Sequence, residues 1–414
     1  MKQAALALLP GRSSQVFDVI IAGGGVAGLA LACCLKSALG AGVRVLVADP
    51  RLGENEGRER AYAVAAGPRR LLERVGAWTA IAPKAQPIVE MAITDGGAHD
   101  AARPTQLRFV ERRDEPLAHM AMSDDLTAAL YARALALGVE CARAEVAGFG
   151  LNRYTIEARL AGAAPRARLL VAADGARSKL RDLADIATIG WDYPQSGIVA
   201  TVAHERDHHG RAEQHFLPAG PFAILPLPGR RSSIVWNESR ADADALLALD
   251  ADDFKRQLEA RFTLKLGEID VVSKPIAIPL RYRLARRFIA ERLALIGDAA
   301  HIIHPLAGQG LNLALRDVAA LAEIVVKQMR LGLDPGAAAP LQEYERARRF
   351  DVAASGLGMD AMNRLFSNDV PPLRALRDFG LRLVDRTPAL KALLIEEAAG
   401  ERGAAPLLLY GETI

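Results

Sequence analysis

The chain has only 3 cysteines, and this scarcity is one of several absences that narrow its class. Cys33, Cys34 and Cys141 show no metal-ligand spacing, and the adjacent Cys33 and Cys34 make a poor disulfide pair. The apolar runs fall short of the roughly 18 residues that span a bilayer. A net charge of +3 is too small to indicate nucleic-acid binding by itself. These absences favour a protein of the reducing cytoplasm, with no metal site and no nucleic-acid partner.

The chain does have the apolar content of a large folded core, since 51% of its 414 residues are hydrophobic. That content is enough for two joined domains. Residues 1–16 faintly resemble a signal peptide, but their apolar stretch is short and a predicted strand begins directly after it. We therefore expect these residues to form a disordered or loosely docked leader.

A βαβ unit is predicted directly after this leader. Residues 17–22 are typical of a buried parallel strand, residues 29–39 of a helix, and residues 43–48 of a second strand that ends at Asp49. The intervening turn has the spacing Gly-x-Gly-x-x-Gly, which favours a dinucleotide site over a plain turn in this context. Asp49 stands where an acid should hold the adenosine ribose hydroxyls. The residues predicted to bind the dinucleotide here are Gly23, Gly25, Val26, Ala27, Gly28 and Asp49.

Two later segments also place polar groups after buried strands. Asp174 begins the segment Asp-Gly-Ala-Arg-Ser after the predicted strand 168–173, and Asp298 follows the apolar run 293–296. The alternative for Asp298 is a helix N-cap, a role compatible with ligand binding. The alternative for the Asp174 segment is a strand-to-helix turn with a solvated Arg177. A third segment, Gly308-Gln309-Gly310, precedes a predicted helix whose free N–H groups would stabilise negative charge.

In this order, the glycine turn and these three later segments resemble the FAD-binding core of the single-component flavin aromatic hydroxylases. The resemblance implies that Asp298 accepts hydrogen bonds from the ribityl hydroxyls of FAD and that Asp174 supports both flavin and nicotinamide. It also assigns Arg60 a place near FAD, although a surface arginine is the alternative. The residues expected around the flavin ring are Pro305 and Gly308 at its wall, with Gly310, Leu311 and Asn312 at the helix N-terminus.

Two further segments narrow the resemblance to the ubiquinone-biosynthesis hydroxylases. These are the Trp-x-Tyr-x-Gln element at 191–195 and the Phe-x-Pro-x-Gly-Pro element at 216–221, and the likeness extends over roughly residues 17–400. One departure stands against it: the family usually has Glu-Asn where this chain has Met122 and Ser123. The local flavin contact at that point is therefore left open.

The expected fold is α/β: a Rossmann-like FAD-binding domain, an inserted antiparallel-sheet substrate domain and a helical C-terminal region. Short strand-like runs beyond Trp191 predict the inserted sheet. The predicted division gives 17–90, 121–185 and 286–330 to the FAD-binding domain, 91–120 and 186–285 to the substrate domain, and 331–414 to the C-terminal helices.

The resemblance implies an FAD-dependent monooxygenase that uses NAD(P)H and O₂ to hydroxylate a polyprenylphenol ring through a flavin hydroperoxide. The sequence offers no convincing catalytic base, so the cofactor would carry the chemistry and the protein would supply orientation and a dry pocket. A flavin hydroxylase of a small soluble aromatic acid is one alternative. A non-catalytic FAD-binding scaffold of a biosynthetic complex is another.

The segment 372–394 alternates leucines with basic residues, among them Arg377, Arg382 and Lys391. An apolar face with basic flanks predicts contact with an anionic lipid surface or with a neighbouring subunit. The alternative is a helix pair packed on the protein's own core. The expected location is the cytoplasm, with peripheral contact at the inner membrane face and homo-oligomerisation both left open.

Overall fold

The computed structural model describes residues 16–54, 57, 60–96, 103–111, 115–262, 265–304, 308–368, 371–400 and 405–414. The strands within them are β1 (Phe17–Ala22), β2 (Val45–Ala48), β3 (Ala61–Ala65), β4 (Gln86–Ile88), β5 (Glu90–Asp95), β6 (Leu107–Val110), β7 (Ala118–Met122), β8 (Glu140–Ala142), β9 (Gly148–Leu151), β10 (Ile156–Arg159), β11 (Arg166–Ala172), β12 (Thr188–His204), β13 (Arg211–Leu217), β14 (Gly220–Leu227), β15 (Arg231–Ser239), β16 (Ile269–Val271), β17 (Ile276–Ala285), β18 (Ile289–Ala290), β19 (Leu293–Leu295) and β20 (His301–Ile302). The helices are α1 (Val26–Leu39), α2 (Ala66–Arg74), α3 (Trp78–Ile81), α4 (Ser123–Ala136), α5 (Lys179–Leu183), α6 (Arg240–Leu247), α7 (Ala251–Phe262), α8 (Gln309–Arg330), α9 (Ala338–Phe366), α10 (Pro371–Arg386) and α11 (Pro388–Ala399).

One sheet contains the βαβ unit that the sequence predicts. Its strand order is β18-β19-β11-β1-β2-β8, with β10 and β9 added beside β11. The strands β19, β11, β1, β2 and β8 pair in parallel, which brings their carboxyl ends to one edge. Strand β1 is buried at nearly every position, as expected for a parallel strand in the middle of a layered fold. Helix α1 packs against α8 and α4 beside this sheet.

A second, mostly antiparallel sheet has the order β20-β17-β12-β15-β14-β13-β5-β6, and β16 pairs with β12. Its two faces differ because successive strand residues point to opposite sides. One face, with Ile198, Phe222 and Trp236, packs with α6 and α7 in a separate apolar cluster. The opposite face, with Val199 and Val235, lines a cavity. A small third sheet, in the order β3-β7-β4, completes the described strands.

The predicted fold class is confirmed, and the differences lie in detail. The spacing of apolar residues over 67–78 predicts one helix, but the segment forms two, since α2 ends at Arg74 and α3 starts at Trp78. Helices α6 and α7 were not predicted within the inserted sheet. Ser239 begins α6 as its N-cap, with its side chain accepting from the backbone N–H of Asp242 at 3.1 Å. The predicted leader lies almost wholly outside the described residues, and the division into domain segments stays a prediction.

Helix α10 lies against the second sheet and contributes a buried ion pair. Arg377 Nε donates to Asp95 Oδ2 of β5 at 2.9 Å, and both side chains are 2% exposed. A carboxylate buried at this position needs a cation beside it. The prediction that Arg377 belongs to an exposed basic flank is therefore wrong. Among the described helices, none is long and apolar enough to cross a membrane.

Candidate active site

A cavity of about 1290 Å³ lies between the two large sheets. The turn at Gly25 follows β1, Asp49 follows β2, Asp174 lies just beyond β11, and Asp298 lies just beyond β19. All four residues line the cavity, because the carboxyl ends of parallel strands meet at one edge of a sheet. The structure therefore brings together three motifs that are far apart in the sequence.

The glycine turn contains residues with two different tasks. Gly23 has a φ of +119°, and a Cβ there would lie 2.1 Å from the carbonyl oxygen of Ala173. A Cβ at Gly28 would lie 2.0 Å from the carbonyl oxygen of Gly23, so both glycines are required by close packing. A Cβ at Gly25 would meet no protein atom within 4 Å and would point into open space. Gly25, Val26, Ala27 and Gly28 line the cavity at the N-terminus of α1, while Gly23 lies behind them.

The three carboxylates differ in how they are held. Asp49 accepts from the backbone N–H of Gly24 at 2.9 Å through Oδ2 and from that of Arg51 at 2.7 Å through Oδ1. Asp174 Oδ2 accepts from Leu180 N at 3.4 Å, but its Oδ1 is buried without a hydrogen-bond partner. Burial raises the pKa of Asp174 above its ordinary value. A buried oxygen without a partner at a cavity wall is suited to a ligand donor.

Asp298 is exposed at the cavity wall, in the turn Gly297–Ala299. Its carboxylate accepts no hydrogen bond from the described residues, so the N-cap alternative is not realised by its side chain. Arg177, by contrast, is exposed, in line with the solvated arginine of the alternative for the second motif. Arg60 is also exposed, lines the cavity and lies over the ring of Tyr62, 4.8 Å from its centroid.

Helix α8 brings a second helix N-terminus to the same cavity. Gly308 precedes it with a φ of +64°, and Gly308, Gly310 and Leu311 line the cavity. Asn312 lies behind them, and its side-chain amide is hydrogen-bonded within the protein. Its Oδ1 accepts from Ala65 N and its Nδ2 donates to Ala63 O, both at 2.9 Å. Asn312 thus ties β3 to α8 and is not itself at the cavity wall. Pro305 lies outside the described residues.

A buried ionic cluster supports the Asp298 turn, and sequence reasoning missed it. Asp317, 0% exposed, accepts from Gly297 N at 3.0 Å, from His301 Nε2 at 2.6 Å and from Arg348 Nε at 2.8 Å. Burial alone raises the pKa of Asp317, but His301 and Arg348 more than offset this, so the pKa lies below its ordinary value. A charged residue on the apolar face of α8 was the available signal.

The sheet side of the cavity is a mostly apolar wall. Val199, Ala223 and Val235 lie in register across β12, β14 and β15, and the amides of Gln214 and Asn237 are set among such residues. Sequence reasoning assigned none of these residues. The wall is built from strands that are distant in sequence, so no contiguous motif marks it. Other cavity-lining residues of the sheet region include Gly197, Glu213, Pro221, Leu225, Ser233, Ile276 and Ile278.

The cavity has an apolar rim. Val272, Ile276 and Ile278 line it and are 51%, 50% and 40% exposed. Lys274 and Arg281 stand beside them, exposed and also at the lining. Exposed apolar side chains at the rim of a cavity indicate a binding surface.

Two histidines of the sheet region, His204 and His208, have hydrogen-bond partners within the sheet. His204 Nε2 contacts Ser232 Oγ at 3.1 Å, and His208 Nε2 contacts the carbonyl of Leu227 at 2.8 Å. In the described part of the chain, no cluster of three metal-ligating side chains occurs.

Ser123 is one of the two positions where this chain departs from the Glu-Asn that the family usually has. Its backbone N–H donates to Arg60 O at 2.8 Å. Ser123 lines the cavity and was not assigned a role.

The nucleotide side of the cavity fits a dinucleotide. The free N–H groups at the start of α1 suit a pyrophosphate, and Gly25 leaves the space that a phosphate needs. Asp49 and the unpartnered Asp174 Oδ1 supply acceptors for hydroxyl groups. The N-terminus of α8 offers a positive end for a ring that becomes negative on reduction.

Comparisons with known proteins agree with this arrangement. Residues 16–354 match the family model described as FAD binding domain. The chain is 42% identical to the ubiquinone hydroxylase UbiL of Rhodospirillum rubrum, covering 96% of this chain and 92% of that one. It is 32% identical to the 3-demethoxyubiquinol 3-hydroxylase of Escherichia coli, covering 94% and 100%. The fold is similar to p-nitrophenol 4-monooxygenase PnpA of Pseudomonas putida, with a TM-score of 0.77 at 21% identity, covering 94% and 99%.

Proposed function

This chain belongs to the FAD-dependent hydroxylase family of ubiquinone biosynthesis, and from that premise we propose that it hydroxylates the aromatic ring of a polyprenylphenol. As a member of the family it is an FAD-dependent monooxygenase, with NAD(P)H as electron donor and O₂ as co-substrate. Family membership does not establish which phenol the enzyme hydroxylates, and that is the part we propose.

The observation that supports a prenylated substrate is the largely apolar surface of the cavity wall and rim. A small aromatic acid needs a cation to hold its carboxylate. The described arginines and lysines of the lining, Arg51, Arg60, Lys274 and Arg281, are all exposed. The wall is mostly apolar, and its rim presents the side chains of Val272, Ile276 and Ile278. Such a site suits a neutral ring inside and a prenyl tail along the rim.

The residues on the nucleotide side divide the binding of FAD among them. We assign the pyrophosphate to the N-terminus of α1 at Gly25 and Val26, and the adenosine ribose to Asp49. Asp298 and Asp174 would accept from hydroxyl groups, and the N-terminus of α8 at Gly310 would face the pyrimidine ring. When bound, FAD takes electrons from NAD(P)H and activates O₂. The apolar wall holds the phenol ring and excludes water, which protects the activated oxygen from wasteful release.

A panel of phenols tests this assignment. The purified enzyme with FAD should oxidise NAD(P)H faster in the presence of a prenylated phenol and yield a hydroxylated product on mass analysis. A small aromatic acid such as 4-hydroxybenzoate should give little stimulation. Coupled turnover of the acid, with none of the prenylated phenol, would establish the small-substrate alternative. FAD binding without any stimulated oxidation would establish the scaffold alternative.

Peripheral membrane contact through the segment 372–394 also stays a proposal, now with fewer residues. Arg377 is internal, but other described residues of the segment are exposed and would meet a lipid surface, among them Arg382, Leu383, Arg386, Leu393 and Leu394. Leu383→Glu together with Leu394→Glu should reduce co-sedimentation with anionic vesicles while FAD content is retained. Unchanged co-sedimentation would leave the segment as a helix pair packed on the protein itself.

A further inference from the structure

Two buried amides in the sheet wall lack the partners that buried polar groups normally have. Asn237 is 3% exposed and Gln214 is 9% exposed. Asn237 Oδ1 and Gln214 Nε2 are buried atoms without a hydrogen-bond partner. Most buried polar atoms in folded proteins are paired, so an unpaired one calls for an explanation. Both residues line the cavity, which places the explanation in a ligand.

The strand register puts the two amides on one face. Gln214 pairs with Ala223, Ala223 pairs with Val235, and Asn237 stands two positions beyond Val235 on the same strand. Residues two apart on a strand point to the same side. Asn237 and Gln214 therefore lie on the cavity face of the sheet in different strands, with the apolar side chains of Ala223 and Val235 between them.

Two glycines make room for the Asn237 side chain. A Cβ on Gly197 would lie 3.0 Å from Asn237 Oδ1, and a Cβ on Gly220 would lie 2.9 Å from Asn237 Cβ. Gly220 belongs to the Phe-x-Pro-x-Gly-Pro element, whose role the cofactor motifs leave unexplained. The two glycines thus leave space for a polar side chain at Asn237 in a wall that is mostly apolar.

We propose that Asn237 and Gln214 are the positioning residues that orient the phenol head group. Asn237 Oδ1 accepts the hydrogen bond of the phenol O–H, and Gln214 Nε2 donates to a second ring oxygen, such as a methoxy group. This proposal rests on the proposed function and names the head group it takes: a neutral phenol with a second oxygen substituent. Neutral amides suit it because they recognise oxygen groups without burying a charge.

Binding of matched probes to the FAD-loaded enzyme tests the two roles separately. The probes are a farnesylated ortho-methoxyphenol, its methyl ether, which lacks the O–H, and farnesylphenol, which lacks the methoxy group. Binding is followed by the change in the flavin absorbance spectrum. The parent enzyme should prefer the methoxyphenol over each of the other two probes by about tenfold, the ratio for one hydrogen bond.

Each variant should remove one preference and keep the other. Asn237→Leu should bind the methoxyphenol and its methyl ether equally, and Gln214→Leu should bind the methoxyphenol and farnesylphenol equally. Asn237→Thr, which keeps an acceptor oxygen, should restore part of the preference for the phenol. Asn152→Leu removes an exposed amide in the β9–β10 turn and should change neither ratio. A merely structural amide would weaken all three probes together.

The same three head groups without the farnesyl chain separate this proposal from the function on which it rests. If the enzyme binds them as tightly as the prenylated probes, the lipid assignment fails, while the two preferences still report on the amides. If the FAD-loaded Asn237→Leu and Gln214→Leu variants keep both preferences, or the parent enzyme has neither, the amide proposal is overturned.

Discussion

The two sides of the cavity offer different groups to a ligand. The side proposed to bind the nucleotide offers backbone N–H groups and carboxylates at the carboxyl ends of β1, β2, β11 and β19. The side proposed to bind the substrate offers side chains on one face of a mostly antiparallel sheet, most of them apolar. A backbone cradle tolerates little change, since it depends on the absence of side chains. A side-chain wall can be altered residue by residue, so the two sides should respond to mutation differently.

The largest effect is expected at Gly25. Gly25→Val should abolish FAD retention, because the branched side chain would occupy the space of the pyrophosphate. The loss of about two charge-assisted hydrogen bonds would weaken the binding free energy of FAD by ~3–6 kcal/mol. The variant should still fold, since a Cβ at Gly25 meets no protein atom within 4 Å. Flavin absorbance per chain and a thermal melt measure the two properties. Gly28→Val is the contrast: it should lose folding as well, because its Cβ would lie 2.0 Å from the carbonyl oxygen of Gly23. Stoichiometric FAD in a folded Gly25→Val variant would refute the proposal that the pyrophosphate binds at Gly25.

The next effect concerns the ionic cluster behind the nucleotide side. Asp317→Ala should lower the free energy of unfolding by ~3–5 kcal/mol, because it leaves Arg348 buried without its partner. FAD affinity should fall too, since Gly297 N loses its acceptor and the Asp298 turn loosens. Urea unfolding and FAD titration measure the two effects.

Arg377→Ala is the matched control in the substrate side, because it also breaks a buried pair. It should destabilise the protein to a similar extent and leave FAD affinity unchanged. Equal loss of FAD affinity in both variants would show that the two sides are not separable.

A smaller effect is expected for the carboxylates. Asp298→Ala should weaken FAD binding by ~1.5–3 kcal/mol, the value of lost hydrogen bonds to a charged group, and by more than Asp174→Ala does. Fluorescence titration of the apoprotein with FAD gives both affinities. Unchanged affinity and turnover in Asp298→Ala would mean that this carboxylate does not contact the cofactor.

The smallest effect is expected at the buried His304, whose ring contacts that of Tyr193 with the centroids 5.1 Å apart. Burial lowers the pKa of His304 from 6.5 to about 4. The pKa of His304 is lower in the folded protein than in the unfolded chain. The contribution of His304 to the free energy of unfolding is therefore complete above pH 6.5 and declines as the pH falls toward 4. His304→Phe should therefore reduce the acid loss of stability by ~1–3 kcal/mol across that range. Parallel stability–pH curves for parent and variant would contradict this.

The same contrast explains how far the sequence could predict the molecule. The nucleotide side was predictable because Gly25, Asp174 and Asp298 each follow a buried strand, and parallel strands bring their carboxyl ends together. The α/β class followed from the same pattern. Helices α6 and α7 were missed because short strand-like runs on either side dominated the pattern of that region.

The substrate wall could not be predicted, because its residues share only a face of a sheet. Gln214 and Asn237 come together through the register of β13, β14 and β15, which no local motif specifies. Arg377 was misjudged for a related reason: its partner Asp95 lies on β5, far away in the sequence. A charged residue on an amphipathic helix is predicted to be exposed unless the strand or helix that packs against it is known.

The most direct test of the central claim is product analysis after turnover with isotopically labelled O₂. The enzyme with FAD, NAD(P)H and a farnesylated methoxyphenol should yield a ring-hydroxylated phenol that carries one labelled oxygen atom, while Gly25→Val should yield none. A labelled product from a small aromatic acid but not from the farnesylated phenol, or NAD(P)H oxidation that releases only hydrogen peroxide with every phenol, would contradict the account.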